Sequence, residues 1–279
     1  MPKHLLLGNE AIAWGLVEGG LQVAAAYPGT PSSEVFGTLA QLASTKGFYA
    51  EWSVNEKVAL EVAAGAAYAG ARAAVSMKQV GLNVAADPLM ALAYIGVKGG
   101  LVLVVADDPG PHSSQTEQDT RLFARFAGLP VLDPATPQEA KEMAKAAFAL
   151  SEALGLPVIL RPTTRVAHVG QDVGIDETVV SPPFTGKFTK NPRWVIFPSL
   201  AAKRHVWLNR QQEAAQKLLA ATPFNVFREA ESELGILASG VSATYAEEAL
   251  FELGLKVNLL KIGTPYPLPI EPVLSFLKR

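Results

Sequence analysis

One acidic residue stands out by its position in a helical pattern. Glu56 lies in the segment EWSVNEKVALEVAAGAAYAG, and on a helix from about residue 54 it shares a face with small and apolar residues, which are Leu60, Ala63, Ala67 and Gly70. The opposite stripe is polar and contains Lys57, Glu61, Tyr68 and Arg72. A dry interior favours the protonated form of a carboxyl group. Glu56 is therefore a candidate for acid–base chemistry.

A structural role for Glu56 is the alternative. Ser53 and Glu56 have the spacing of an S-x-x-E capping box, in which the glutamate reaches back to a backbone N–H. The helix by itself favours capping, and only the surrounding motifs shift the balance towards catalysis.

The segment YPGTPSSE ends a predicted strand and begins a helix. Pro28 and Gly29 favour a tight turn, and Thr30, Ser32 and Ser33 offer hydroxyl groups at a helix N-terminus, where anions bind. An ordinary N-cap would explain the same residues.

Two further polar segments follow predicted strands. SMKQVGLN places Lys78, Gln79 and Asn83 around a glycine, without the glycine pattern of a dinucleotide fold, a P-loop or a hydrolase elbow. VADDPGPHSSQTEQD contains Asp107 and Asp108, a weak magnesium signal, and His112, a possible acid or base. A solvated loop is the favoured interpretation of the second segment by itself.

The first 165 residues alternate helices and strands, which predicts a parallel sheet covered on both faces, a doubly wound α/β fold. Ligands bind beyond the carboxyl ends of such strands, where the polar segments lie. The predicted strands span residues 21–26, 48–52, 71–76, 101–106 and 157–160, and the predicted helices 9–20, 34–43, 54–70, 82–97 and 137–154.

The rest of the chain divides into two parts. Residues 166–200, rich in proline, glycine and threonine, are predicted to cross between domains. Residues 201–279 are predicted to form a smaller α/β domain with helices at 202–221 and 242–253, strands at 234–239 and 256–262, and a last helix that is only beginning. A compact domain would need a further strand, so this domain is expected to be incomplete.

Composition excludes several classes of function. The 279 residues include no cysteine and four histidines, so this chain has no disulfide, thiol nucleophile or cysteine-held iron–sulfur cluster, and a zinc site is not expected. A net charge of −2 without a basic cluster argues against nucleic acid. The longest apolar region is interrupted by Asp87, Pro88 and Lys98, and the N-terminus has no signal-peptide pattern, so we expect a cytoplasmic protein without a membrane partner.

Taken together, five segments resemble one family. YPGTPSSE, EWSVNEKVALEVAAGAA, MKQVGLNVAADPLM, KGGLVLVVADDPGPHSSQTEQD and LRPTTRVAH are similar, in order, to the α subunits of thiamine-diphosphate-dependent 2-oxoacid:ferredoxin oxidoreductases, specifically the indolepyruvate type. The resemblance covers nearly the whole chain. It implies a pyrimidine-binding domain over residues 1–165 and a transketolase-C-like domain over 201–279.

The resemblance also implies site residues. Glu56 would contact N1′ of the cofactor's aminopyrimidine and favour its imino tautomer, so that the 4′-nitrogen takes the proton from thiazolium C2. Thr30 matches a threonine near cofactor and substrate, and Pro28 and Gly29 belong to the same cofactor-binding turn. Substrate contacts are expected among the nearby polar residues, which are Lys78, Gln79, Asn83, Asp108, His112, Arg161 and Arg165.

This sequence departs from the family pattern in two places. Pyruvate-type members carry an arginine for the oxoacid carboxylate where Asp107 and Asp108 stand here, which favours an aryl or branched substrate, and Lys78, His112, Arg161 or Arg165 would have to hold the carboxylate. The diphosphate-binding domain with its magnesium motif and the ferredoxin-like segment are also missing.

The missing parts imply partner chains. We expect Mg²⁺ and 4Fe-4S clusters on a chain with the diphosphate-binding and iron–sulfur domains, a γ- or β-type subunit, coenzyme A as co-substrate, ferredoxin as acceptor, and a homo- or hetero-oligomer. The alternatives are a non-catalytic binding or regulatory module of the same fold and an unrelated flavodoxin-like nucleotide binder.

Overall fold

A parallel sheet of six strands forms the centre of the structure, a computed structural model that describes residues 2–184 and 186–279. The strand order is β3-β2-β4-β5-β7-β6, and every neighbouring pair is parallel. The strands are β2 (Val23–Ala26), β3 (Tyr49–Trp52), β4 (Ala73–Lys78), β5 (Leu101–Ala106), β6 (Val131–Leu132) and β7 (Val158–Leu160). The predicted doubly wound fold is confirmed.

Strand β5 explains why the sheet needs helices on both faces. Its six residues are all fully buried. Leu101, Leu103 and Val105 belong to one hydrophobic core, and the alternate residues Val102 and Val104 belong to another. Because side chains alternate along a strand, its unbroken apolar run supplies two cores at once.

Helices cover the two faces of this sheet. One face packs against α3 (Glu56–Ala69), α4 (Gln79–Val84), α5 (Ala86–Ile95) and α6 (Thr120–Ala127), and the other against α1 (Gly8–Glu18), α2 (Ser33–Lys46) and α7 (Pro137–Leu154). The predicted single helix over 82–97 was wrong, because α4 ends at Val84 and α5 begins at Ala86. Pro88 lies in the first turn of α5, where its missing N–H costs no hydrogen bond.

Residues 166–200 include structure that the sequence did not predict. After the short helix α8 (Thr164–His168), strand β8 (Gly170–Gly174) pairs antiparallel with the N-terminal strand β1 (Lys3–Leu7), and a 3₁₀ turn spans Pro192–Trp194.

A second sheet follows, of order β10-β11-β9. Its strands are β9 (Val226–Arg228), β10 (Gly235–Ser239) and β11 (Asn258–Ile262), with helices α9 (Pro198–Ala220), α10 (Val241–Glu252) and α11 (Ile270–Leu277). The boundaries at residues 165 and 200 stay a prediction. Within the described residues, every helix is too short or too polar to cross a membrane.

Candidate functional site

The predicted site residues follow the carboxyl ends of the central strands. The turn that contains Thr30 follows β2, and Glu56 follows β3 after a short link. Lys78 ends β4, and the loop over residues 107–119 follows β5. The Ser113 hydroxyl lies 3.4 Å from the Thr30 carbonyl oxygen, so the loops after β5 and β2 meet.

Glu56 is buried, with 8% of its surface exposed, and it is the first residue of α3. Leu60, Ala63 and Ala67 on the same face are also buried, as the helical pattern predicted. The predicted capping box was wrong. Asn55 caps the helix, its Oδ1 accepting from the backbone N–H of Val58 at 2.9 Å.

The position of the helix start explains that correction. A capping box needs the glutamate at the third helical position, and Glu56 holds the first. The Ser53 hydroxyl donates to Glu51 at 3.0 Å instead. Glu56 is thus not used in capping.

The Glu56 carboxyl packs directly on the backbone of α4. A Cβ atom built on Gly81 would lie 2.4 Å from Glu56 Oε1 and 2.7 Å from its Cγ, so only glycine leaves room for this side chain. Within the described residues the carboxyl has no hydrogen bond or ion pair. A buried polar group normally has a partner, so the carboxyl is available to a ligand.

Gln79 offers a second available group two residues before Gly81. The side chain is 1% exposed, its Nε2 donates to the Thr116 carbonyl at 3.2 Å, and its Oε1 is buried without a partner among the described residues. Such an oxygen is costly unless something donates to it. Asn83, also predicted here, is exposed on α4.

Hydroxyl groups hold the turn after β2 in shape. Ser32 donates to the Gly29 carbonyl at 2.8 Å, and Ser33 accepts from the Gly29 N–H at 2.9 Å. Ser32 is the N-cap of α2 but makes no side-chain cap bond. Pro28 and Thr30 are exposed.

Gly29 also lets this turn approach Lys78. A Cβ at Gly29 would lie 2.7 Å from Lys78 Cδ. The Lys78 ammonium has no hydrogen bond or ion pair within the described part of the chain. A cation is therefore available beside the turn.

Arg161 is not available to a substrate. Its Nε donates to Asp107 Oδ2 at 2.6 Å, and its Nη1 lies 3.3 Å from Asp133 Oδ1. Burial acts to lower the pKa of Arg161, but the two carboxylates outweigh it and raise the pKa. Both partners are fully buried, so Arg161 has a structural role and is not free to make the predicted contact with the substrate's carboxylate. Asp107, engaged in this pair, is likewise not a free metal ligand.

Asp108, the residue that follows Asp107, holds the loop after β5 in shape. Its carboxylate accepts from the backbone N–H groups of Ser113 and Ser114 at 2.9 and 3.0 Å and from the Thr164 hydroxyl at 2.7 Å. Burial acts to raise the pKa of Asp108, but these hydrogen bonds outweigh it and hold the pKa well below its usual range. Its oxygens already have donors, so Asp108 positions the loop that carries His112.

His112 and Arg165 are exposed and line one cavity of about 700 Å³. His168 lines the same cavity, and sequence reasoning missed it although the segment TRVAH places it three residues after Arg165, on one face of a helical turn. Among the described residues, no group of three or more His, Cys, Asp or Glu side chains is arranged to hold a metal ion.

Comparison with known proteins identifies relatives over almost the whole chain. Indolepyruvate oxidoreductase subunit IorA of Pyrococcus horikoshii is 48% identical over 287 residues, covering 99% of this chain and 44% of the relative. The subunit of the same name in Pyrococcus abyssi is 50% identical over 274 residues, covering 96% and 42%. This chain therefore spans less than half the length of these relatives.

A solved structure has the same fold. The 2-oxoglutarate:ferredoxin oxidoreductase of Magnetococcus marinus, with 2-oxoglutarate, coenzyme A and succinyl-CoA bound, matches 98% of this chain and 56% of its own with a TM-score of 0.79 at 19% identity. A family model described as pyruvate flavodoxin/ferredoxin oxidoreductase, thiamine-diphosphate-binding, matches residues 15–194. By that match, the chain belongs to the thiamine-diphosphate-binding family of pyruvate flavodoxin/ferredoxin oxidoreductases.

Proposed function

We propose that this chain supplies the pyrimidine-binding half of the thiamine diphosphate site in a 2-oxoacid:ferredoxin oxidoreductase. The substrate is an aryl pyruvate of the indolepyruvate type, and the product of oxidative decarboxylation is an acyl-CoA. The observation that carries the proposal is the buried Glu56 carboxyl, which packs on Gly81 and has no hydrogen-bond partner in the described structure.

The residues at this edge of the sheet fit the cofactor's aminopyrimidine. The ring has both donors and acceptors on its edge, and the structure offers the Glu56 carboxyl and the buried, unpartnered Gln79 Oε1. Glycine at position 81 leaves room for the carboxyl in this position, since a side chain there would occupy its place. The turn over residues 28–30 lies beside Lys78 at the neighbouring strand ends.

When bound, the cofactor supplies the carbanion chemistry of 2-oxoacid decarboxylation. Glu56 would hold the aminopyrimidine by a hydrogen bond from its carboxyl and would support the acid–base chemistry that the cofactor supplies. Asn55 fixes the start of α3 and thereby the position of this carboxyl. Asp108 holds the loop over residues 107–119, whose Ser113 hydroxyl lies 3.4 Å from the Thr30 carbonyl oxygen, and so keeps the two loops of the site together.

The remaining parts of the enzyme belong to partner chains in this proposal. One carries the diphosphate-binding domain with Mg²⁺ and the 4Fe-4S clusters, and a γ- or β-type subunit, coenzyme A and ferredoxin complete the reaction. The support is that the two Pyrococcus relatives are themselves named as subunits of an oxidoreductase. The assembly is oligomeric and cytoplasmic in this proposal.

Glu56→Gln tests the proposal, because it keeps the shape of the side chain and removes its acid. In the reconstituted complex we expect the rate of aryl-pyruvate-dependent viologen reduction to fall by about 10²- to 10⁴-fold, the range for loss of a general acid or base. Glu61→Gln is the matched control, an exposed glutamate on the same helix that should keep full activity. Full activity of the Glu56 variant would remove Glu56 from the mechanism and with it the proposal.

A further inference from the structure

A cavity lies at the same edge of the sheet, and Glu56 is not among the residues that line it. It has a volume of about 700 Å³, within the range of small-molecule sites. It is built from the loop after β5, the start of α7, helix α8, the start of β8 and the first turns of α10. The central sheet, the predicted crossing segment and the second sheet's helix thus share one cavity, which we name the Arg165 cavity.

Charge in this lining is one-sided. Arg165, His112 and His168 border the cavity, and its described lining contains no aspartate or glutamate, although acids outnumber Lys and Arg by 26 to 24 in the chain. The Arg165 guanidinium has no hydrogen bond or ion pair within the described residues. Glu34 approaches His168 Nε2 at 3.6 Å from outside the lining.

Another large cavity provides a comparison. The cleft of about 860 Å³ between α7 and the second sheet is lined by acids and bases in equal number, which are Glu139, Glu142, Glu247, Lys145, Arg228 and Lys261. Two ion pairs form among them, Lys261 with Glu139 and Arg228 with Glu247. A cavity of about 750 Å³ within residues 188–200 also lacks acids, but its one charged residue is Lys190. What distinguishes the Arg165 cavity is that it combines an arginine with two histidines in a lining without acids.

Local structure explains how Arg165, His112 and His168 reach the cavity. On α8, Val166 and Ala167 are buried, so Arg165 and His168, one turn apart, both point outward. The hydrogen bonds from Ser113 and Ser114 to Asp108 fold the adjoining loop and place His112 opposite.

Of two polar neighbours, Gln171 keeps a donor for a ligand and Thr164 does not. Gln171 accepts the backbone N–H of Gln138 with its carbonyl oxygen at 3.0 Å, which leaves its NH₂ group as a donor. Thr164 uses its hydroxyl hydrogen on Asp108. Apolar walls come from Pro137, Val241 and the ring of Tyr245.

We propose that the Arg165 cavity binds an organic anion, its carboxylate or phosphate held by Arg165, His112 and His168 and its apolar part packed on Pro137, Val241 and Tyr245. A carboxylate source is the aryl 2-oxoacid, and a phosphate source is the nucleotide part of the co-substrate. The choice of these probes rests on the proposed function, whereas the site itself rests on the cavity and its charges.

Isothermal titration of the 279-residue chain tests this site. Phenylpyruvate is the carboxylate probe, and ADP and inorganic phosphate are the phosphate probes. Arg165→Met should weaken binding by about 10- to 100-fold, the effect of losing a charge-assisted hydrogen bond. Arg210→Met is the matched control, because Arg210 is exposed on α9, outside the cavity and without an ion pair in the described part of the chain. His112→Gln is a second variant, and the imidazole NMR signals of His112 and His168 should shift on binding.

Each result of the titration supports or overturns the proposal. Binding of phenylpyruvate that Arg165→Met weakens supports an oxoacid site, and binding of only ADP and phosphate with the same dependence supports a co-substrate phosphate site. No binding of any probe up to about 10 mM, beyond which affinity is too weak to be specific, overturns the proposal. Binding that neither Arg165→Met nor His112→Gln changes also overturns it. Because this assay needs no turnover, its failure leaves the Glu56 test of the proposed function unaffected.

Discussion

Replacing Gly81 by alanine would separate the stability of the fold from the geometry of the site. The added Cβ would lie 2.4 Å from Glu56 Oε1, and ordinary contact begins near 3.4 Å, so the carboxyl oxygen has to retreat by about 1 Å. A misplacement of that size costs roughly 100-fold in rate when the moved group takes part in the reaction. We therefore expect cofactor-dependent activity of the reconstituted complex to fall about 100-fold.

Stability should respond differently. Gly81 lies inside α4, and alanine is favoured there over glycine by about 1 kcal/mol. Displacing the buried Glu56 side chain costs about 1–3 kcal/mol, so the free energy of unfolding should fall by no more than about 2 kcal/mol. Chemical denaturation of the isolated chain measures this quantity without any partner.

Gly65→Ala is the matched control. Gly65 is exposed on α3, the helix that begins with Glu56, and a Cβ there meets nothing within 4 Å. This variant should gain up to about 1 kcal/mol in stability and keep full activity. Wild-type activity in Gly81→Ala, with a crystal structure in which the Glu56 carboxyl has moved, would refute the claim that its position matters.

The remaining predictions concern the buried charges behind the site. Arg161→Met leaves the buried Asp107 without its guanidinium and leaves Asp133 with only Arg121, whose Nη1 lies 3.6 Å from its Oδ2. The free energy of unfolding measured in urea should therefore fall by about 3–5 kcal/mol. Arg210→Met should change it by less than about 0.5 kcal/mol, and equal losses would contradict the ion-pair argument. The pKa of Asp108 is lower in the folded protein than in the unfolded chain. Its contribution to the free energy of unfolding is therefore fully present above the ordinary Asp pKa of about 4, and it is lost as the pH falls towards the lower pKa of the folded protein. Asp108→Asn should therefore cost about 2 kcal/mol at neutral pH and progressively less below about pH 4, whereas a difference that is constant with pH would contradict this assignment.

The local sequence pattern was sufficient to predict a central strand and a long helix that covers the sheet. Strand Leu101–Ala106 and helix Pro137–Leu154 were predicted to the residue, because one is an unbroken apolar run and the other begins with a Thr136 cap and ends before Gly155. The buried face of α3 followed from its apolar spacing. Resemblance, rather than periodicity, supplied the role proposed for Glu56.

Features that depend on distant residues could not be predicted in this way. Arg161 has the same local appearance as Arg165, and only the fold brings Asp107 and Asp133 to Arg161. The Arg165 side chain lines a cavity and has no partner among the residues that the structure describes. Strand β6 has two residues, too few for a period. Strand β8 is polar and glycine-bounded, and its pairing with β1 lies outside any sequence window.

The pairing of β1 with β8 has a consequence for the order of folding. These strands lie about 165 residues apart in the chain, and closing a loop of that length costs about 4.5 kcal/mol in chain entropy. The central sheet, which lies between them in the sequence, has to form first to bring them together. During synthesis at about 5–20 residues per second, Leu5, Leu6 and Leu7 would wait on the order of 10–30 s for their partner strand to be made. Strand β1 is thus made long before its partner, and its leucines are open to chaperones in that interval.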